Sequence, residues 1–476
     1  MKPPAATTTE GGIRGQALLV AGSAVGAGLI ALPSVTWRAG FIPSSCALIA
    51  VWAYMSSVGI LLLEASSWMD YSRPANLSGV VSFNLGPSGR PICIMLYISI
   101  YAATITAYIA EGGQQATELL GMFLHCVENR FSLEGNSCVD SAPEPHQTTV
   151  VIGKLLFTAL FCGIIFKGPS IVERINAVCM CGAILVFFVL VNAATYDVDT
   201  AVEEIEGELS TATGNATDTQ IVTAEKNWGE IPGTLPVMVV AFSYHNMVPS
   251  VFASLGRHTQ PSALALLFGS GIALFMYLIW QGATIGGSNA MPSSSEEIFD
   301  NLRKSAGVAF PVFSFLAIVT SVLGVGLGCV DFMEDVLVSM SALKEKKGST
   351  VKMKRAQATI LTFGPCLVCA LAFPDAFLPA LEFSAIFRQI LFGIIPVAMV
   401  WRGRKKKLLS RRKDHVIDQE AGVWKETCGS LKGSGEGELL PGGNIGLGLV
   451  AIITGLMLVI ELNHVAHIFV SSGHSL

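Results

Sequence analysis

Apolar residues in this chain fall into eleven long runs, at residues 16–36, 43–66, 91–124, 149–166, 171–195, 233–255, 262–286, 307–341, 356–373, 376–401 and 444–472. A helix needs about 20 largely apolar residues to cross a bilayer, and the runs lack the period-two alternation of barrel strands. Lipid offers no partner to an open backbone N–H or C=O, so runs of this kind must be helical. The pattern predicts an all-α polytopic membrane protein with eleven spans, numbered 1 to 11 in chain order.

Composition agrees. Only 14% of the 476 residues are charged and 51% are hydrophobic, with a mean hydropathy of +0.58. A soluble chain of this length would carry roughly a quarter charged residues. The deficit is spread along the whole sequence, so no large soluble domain is expected. The net charge of −5 is small, and no basic face interleaved with aromatics suggests nucleic acid. The first residues, Met1 to Gln16, contain neither an apolar core nor an Arg/Ser-rich amphipathic stretch, and read as a tail rather than a cleavable leader. Expected segments are a tail at 1–15, a ten-helix core at 16–401, a basic loop at 402–443, and an eleventh helix with the C-terminus at 444–476.

Lysine and arginine placement sets the expected orientation. With the N-terminus cytoplasmic, one side collects Arg14, Arg73, Arg90, Lys167, Arg174, Arg257, the lysines from Lys344 to Lys354 and the Arg402–Lys432 loop. The other side receives Arg38, Arg130, Lys154, Lys226, Arg303 and Lys304. The long loop 196–232 falls outside and carries the sequon Asn215-Ala-Thr217. Cys126 and Cys138 share another outer loop, where a disulfide would form if that face is oxidising. The remaining cysteines lie mostly singly in apolar runs, as small core residues do. The membrane itself, plasma membrane or plastid envelope, is left open.

Glycine, proline and polar residues inside spans carry the information about chemistry. Span 1 contains Ala21-Gly22-Ser23-Ala24-Val25-Gly26-Ala27-Gly28-Leu29-Ile30-Ala31-Leu32-Pro33. Gly22-x-x-x-Gly26 alone would be a helix-packing face. Three glycines followed by a proline also describe a helix that opens, turning backbone N–H groups toward a carboxylate. Span 6 contains Phe242-Ser243-Tyr244-His245-Asn246-Met247-Val248-Pro249-Ser250. Neighbouring residues on a helix are about 100° apart, so four polar-capable residues in a row cannot share one face, and a break lining a cavity is expected instead. Interrupted segments at corresponding places in two halves point to the binding site of an inverted-repeat transporter.

Span 3 carries Tyr101, Thr104, Tyr108, Glu111, Gln115 and Glu118 at alternating spacings of three and four, one polar stripe on an apolar helix. A carboxylate at mid-bilayer costs about 2.5–3.5 kcal/mol or more, so Glu111 should face the bundle interior. His245 is the histidine at the centre of a broken segment and titrates near neutrality in its unperturbed form; His245 and Glu111 are the candidate proton carriers. Glu64 reads as interfacial, and Asp331, Glu334 and Asp335 as a solvated helix end. Glu382 and Arg388 in span 10 could form an internal ion pair, although their spacing of six does not place them on one face. His464 and His467 in span 11 read as structural or interfacial.

These clusters resemble the tryptophan/tyrosine-specific permease family, the aromatic branch of the amino acid permease superfamily. The resemblance rests on Ala21–Pro33 in span 1, Ser243–Ser250 in span 6 and Ser321–Asp331 in span 8 (SVLGVGLGCVD), and covers roughly Gly15 to Trp401. It implies a LeuT-type fold, two inverted five-helix repeats with an eleventh helix, and symport of an aromatic amino acid with a proton. Carried onto this chain, Gly22, Ser23, Val25, Gly26 and Gly28 would present backbone groups to the substrate carboxylate. Carbonyls around Phe242, Ser243, Tyr244 and His245 would take the ammonium, and Tyr101, Tyr108, Phe242 and Tyr244 would line the ring pocket. The chain departs from bacterial members in its long loops and in span 5, where Cys179–Ile184 lacks their lysine. The coupling ion, proton or sodium, therefore stays open, as does a small neutral amino acid in place of an aromatic one. No cofactor is expected. A channel would want a charged ring or carbonyl filter, and an enzyme a catalytic pair or a motif such as H-E-x-x-H; the sequence offers neither.

Overall fold

A computed structural model describes residues 10–69, 76–129, 146–211, 227–286, 306–342, 351–406 and 438–473. The described residues are helical throughout, with no strand. Among the described residues ten helices are each long and apolar enough to cross a membrane, and a bent pair near the N-terminus makes an eleventh when it is counted as one span. The spans run Phe41–Ser67, Gly89–His125, Gln147–Phe166, Pro169–Ala193, Trp228–Ser254, Thr259–Ile285, Ala309–Val338, Arg355–Ala372, Phe377–Lys406 and Gly443–Ala466, preceded by Gly12–Ala24 with Gly28–Thr36. All eleven match the apolar runs to within a few residues at most ends.

Three features were not expected. A short helix, Leu77–Leu85, lies between spans 2 and 3. Asn76 caps it by accepting from the Gly79 N–H at 2.8 Å, and Asn84 ties it to span 2 by donating to the Ala65 carbonyl at 3.2 Å. The span 5 helix continues to Thr211, because the Glu- and Ala-containing stretch beyond the membrane run suits a helix. Span 10 passes from α-helix to a π-helical turn at Gln389–Ile394 before continuing. Cys138, the side chain of Cys126, Asn215 and most of the basic loop lie outside the described residues.

Spans 1, 2, 6 and 7 pack on one another, as do spans 3, 4, 8 and 9. Span 10 bridges the two groups through spans 3 and 6, span 5 lies along span 8, and span 11 packs mainly on spans 6 and 10. Lipid cannot satisfy polar groups, so the ionisable residues inside the bundle find protein partners. Glu64 is the plainest correction: it is buried at 2% exposure, and both its oxygens accept from Arg404 of span 10 at 2.8 Å. Arg404 thus belongs to a helix rather than to a loop. Lys154, counted with the outer positive charges, is buried, and its ammonium donates to the carbonyls of Ala370 and Pro374 at 3.2 and 3.3 Å. It closes the C-terminal end of span 9, where carbonyls lack intrahelical partners. Asp331 and Glu334 are not merely solvated: Arg355 pairs with them at 2.8 and 3.2 Å and donates to the Ile165 carbonyl, joining spans 4, 8 and 9.

Candidate functional site

Both expected interruptions are present. Span 1 is helical over Glu10–Ala24 and again over Ala27–Thr36, with Val25 and Gly26 between and a bend of 49°. Span 6 is helical over Ile231–Ala241, open at Phe242–Tyr244, a single 3-10 turn at His245–Met247, and helical again over Val248–Ser254.

Each break leaves carbonyl groups without their helical donors. Tyr277 of span 7 serves both: its hydroxyl lies 2.6 Å from the Ala24 carbonyl and 3.1 Å from the Ala241 carbonyl, the last residue of each first half. Three residues on, Trp280 donates its indole N–H to the Leu29 carbonyl at 2.6 Å. Pro33 has no N–H to offer the carbonyl four residues before it, and Leu29 is that residue. Ser243 resolves a third case itself. Its N–H turns to the Val240 carbonyl, and its hydroxyl donates to the Val239 carbonyl at 2.8 Å.

Two of the span 1 glycines, Gly26 and Gly28, are required by close approach. A Cβ at Gly28 would stand 3.0 Å from the Ala241 Cβ and from the Tyr277 hydroxyl, and one at Gly26 would collide with the Ser321 hydroxyl of span 8. At Gly22 the nearest neighbour is Met180 of span 5, at 3.4 Å from such a Cβ. Neighbouring spans thus come close at Gly26 and Gly28, while Gly22 makes only an ordinary contact.

Between the breaks lies a cavity of 420 Å³, within the range of about 300–1,000 Å³ usual for small-molecule sites. Span 1 contributes Gly22, Ser23, Ala24, Gly26 and Gly28 to its wall; span 3 contributes Tyr101 and Tyr108. Span 6 contributes Ser243, Asn246 and Met247, span 8 Thr320, Ser321 and Gly324, and span 10 Leu381 and Arg388. Leu18 and Leu19 of span 1 and Glu173 and Asn176 of span 5 extend it toward the ends where those spans begin. Asn246 donates its amide to the Tyr101 hydroxyl at 3.1 Å, and Tyr101 in turn shares a hydrogen bond of 2.7 Å with Tyr97.

The remaining expected residues stand behind this wall. Val25 is buried and lines a small apolar recess with Leu29, Phe313 and Ala317. Phe242 is fully buried, edge-on to Tyr277 with ring centroids 5.3 Å apart. Tyr244 packs over Gly59 of span 2, where a Cβ would stand 2.8 Å from its hydroxyl, and its ring stacks on His245 at 4.7 Å. His245 is fully buried. Its Nε2–H donates to the Met55 carbonyl at 2.9 Å, its ring lies 5.4 Å from Phe392, and its Nδ1 is buried with no hydrogen-bond partner. Glu111 lies one turn beyond Tyr108, half-buried, accepting from Gln115 at 2.8 Å.

Several residues of this region escaped the sequence reading. Tyr277 and Trp280 carry a detectable signal, two aromatics with polar tips three residues apart on one face of an apolar span. The ion pair expected between Arg388 and Glu382 is absent among the described residues, since Glu382 lies 3.5 Å from His464. Glu461 of span 11 is fully buried with both oxygens unpartnered. At the other end of the bundle from the start of span 1, Phe187, Trp280 and Phe313 form a closed aromatic cluster with centroids 5.5–6.0 Å apart. Among the described residues no group of His, Cys, Asp and Glu is arranged to hold a metal ion.

A helical bundle whose two interrupted spans line one cavity of mixed polar and apolar residues is an arrangement found in membrane carriers. The chain belongs to the tryptophan/tyrosine permease family, whose profile matches residues 9–414. It is similar to a tryptophan-specific transport protein of Haemophilus influenzae, 27% identical over 413 residues, covering 82% of this chain and 88% of that one. Tyrosine-specific transport system 1 of the same organism is 28% identical over 409 residues, again with 82% and 88% covered. A more distant relative, glutamine transporter 2 of Aliivibrio fischeri, is 22% identical over 417 residues, covering 86% and 94%. The ten long apolar helices and these relatives make this an integral, multi-pass membrane protein.

Proposed function

We propose that this protein is a secondary active transporter of aromatic amino acids, tyrosine and tryptophan, driven by a co-transported proton through alternating access. The observation that carries this reading is the 420 Å³ cavity walled by both broken spans, in a chain whose relatives are named for tryptophan and tyrosine transport. The interruptions fall in spans 1 and 6, five spans apart, as two inverted five-helix repeats of a LeuT-type fold would place them. The separate packing of spans 1, 2, 6 and 7 and of spans 3, 4, 8 and 9 supports two bodies that rock against each other.

In this reading the N–H groups opening the second half of span 1, at Gly26 to Gly28, face the substrate carboxylate, since the positive end of a helix dipole attracts an anion. Carbonyls of the span 6 opening, Phe242 to His245, receive the ammonium. Tyr101 and Tyr108 meet the ring, where stacking adds about 0.5–1.5 kcal/mol beyond burial; Phe242 and Tyr244 shape that wall from behind. His245 and Glu111 are the proposed proton carriers. Neither touches the cavity, so each acts through its neighbours: His245 through Ser243 and Asn246 of the same opening, Glu111 through Tyr108 one turn away. With the N-terminus cytoplasmic, the cavity reaches toward the cytoplasm and the Phe187–Trp280–Phe313 cluster closes the outer side.

The rivals of the same class are a carrier of small neutral amino acids, favoured by the glutamine transporter among the relatives, and a sodium-coupled carrier. Uptake of labelled tyrosine and tryptophan into liposomes containing the purified protein, with and without an inward pH gradient, separates them. Gradient-stimulated uptake blocked by excess aromatic but not small amino acids is expected. Uptake of another amino acid alone overturns the substrate, and stimulation by sodium but not by pH overturns the coupling ion.

A further inference from the structure

Arg388 is buried at 8% exposure in the middle of span 10, yet it lines the central cavity. Its Nη2 donates to the Thr104 hydroxyl at 2.7 Å and its Nε to the Ser384 hydroxyl at 3.3 Å. Both hydroxyls are already turned to serve it: Thr104 donates to the Ile100 carbonyl at 2.7 Å and Ser384 to the Leu381 carbonyl at 2.6 Å, so each presents lone pairs to the guanidinium. The side chain is thus held in place by neutral acceptors at Nε and Nη2, and among the described residues no hydrogen bond is made by Nη1. Arg388 makes no ion pair with any described residue. Glu382, six positions earlier, is turned to His464, and Glu111 is bonded to Gln115. Glu173, the carboxylate that lines the cavity, stands exposed at the beginning of span 5 and does not pair with it.

A buried cation without a counter-ion is expensive wherever it lies and more so within a bilayer. The wall holds one such charge, pre-oriented and facing the space a ligand would fill. Guanidinium is also the side chain whose planar fork best matches a carboxylate. Tyr101 and Tyr108 share the face of span 3 that carries Thr104, so aromatic rings border the same charge.

We propose that Arg388 is the charged receptor for the carboxylate of the transported amino acid, adding its charge to the backbone N–H groups of span 1. This rests on the amino acid transporter reading and deepens it. The ligand chemistry is an anion, and its two possible sources are the substrate carboxylate and a resident inorganic anion such as chloride.

Binding to the purified full-length protein in lipid nanodiscs distinguishes these. The probes are tryptophan, tyrosine and alanine, each set against its decarboxylated amine (tryptamine, tyramine and ethylamine), in chloride and in gluconate. The proteins are the wild type, Arg388→Lys and Arg388→Gln. Expected is a wild type that prefers the amino acid to the amine. Arg388→Gln weakens the amino acid by about ten- to hundredfold, the range for losing a charge-assisted hydrogen-bonded pair. It binds the amine as well as the wild type or better, which also shows the variant is folded. Arg388→Lys falls between, and chloride has no effect. Equal weakening of acid and amine makes Arg388 a packing residue and overturns the proposal, as does amino acid binding that requires chloride in the wild type only. Undiminished amino acid binding by Arg388→Gln overturns it too, with the transporter reading intact. Failure of the wild type to bind any of the amino acids removes that reading, and the proposal with it.

Discussion

The two interruptions differ in how they are built. In span 1 the chain opens over Val25 and Gly26, and what it offers the cavity is mostly small: Gly22, Ser23, Ala24, Gly26 and Gly28. Its neighbours come so close that a methyl group at Gly26 or Gly28 meets span 8 or span 6. In span 6 the opening is longer, and its side chains diverge. Ser243, Asn246 and Met247 face the cavity, whereas Tyr244 and His245 turn away to Gly59, Met55 and Phe392 of spans 2 and 10. One break presents backbone; the other sorts side chains between a ligand space and the packed interior behind it. Tyr277 joins them, since one hydroxyl serves the last carbonyl of each first half.

That contrast can be broken from the span 1 side first. Gly28→Val places branched carbons where even a Cβ is 3.0 Å from Ala241 and Tyr277. Overpacking of this kind costs about 1–3 kcal/mol, and here it falls on the break itself. Amino acid uptake by reconstituted protein is expected to be lost, with a lower melting temperature. Ser243→Val in span 6, which loses one hydroxyl but has room at the cavity wall, should keep measurable uptake. Equal tolerance at the two positions would show that the breaks are not built differently.

A smaller effect is expected where the two breaks are joined. Tyr277→Phe removes one hydroxyl from two buried carbonyls, and a buried acceptor left unpaired costs about 1–3 kcal/mol. The variant should melt several degrees lower, with uptake reduced but not abolished. No change in melting temperature would mean that water or relaxed geometry satisfies Ala24 and Ala241 as well as Tyr277 does.

The frame was legible in the sequence because lipid leaves few choices: twenty apolar residues in a row must be a helix, and the eleven runs are the eleven spans. The breaks were legible for the same reason, since Gly26, Pro33 and the Ser243–Asn246 cluster could not sit in an uninterrupted lipid-facing helix. What could not be read was which way each residue of an opening turns. Helical periodicity fails where the helix does, so Ser243 and His245, two apart, could not be assigned to opposite sides. Partners distant in sequence were equally hidden. Glu64 and Arg404 are 340 residues apart, and Arg388 meets Thr104 across 284. Sequence spacing therefore makes Glu64 an interfacial residue and offers Arg388 only Glu382 as a charged neighbour.

The most direct test of the cavity as the substrate site is thiol protection. Ser243→Cys at the cavity wall is compared with Thr149→Cys, exposed at the beginning of span 4, both in a background with the exposed native cysteines replaced. Saturating tryptophan or tyrosine should slow labelling of Ser243→Cys by a membrane-permeant maleimide and leave Thr149→Cys unchanged. Labelling of Ser243→Cys that is indifferent to every amino acid, in protein that still transports one, would place the substrate elsewhere and contradict this site.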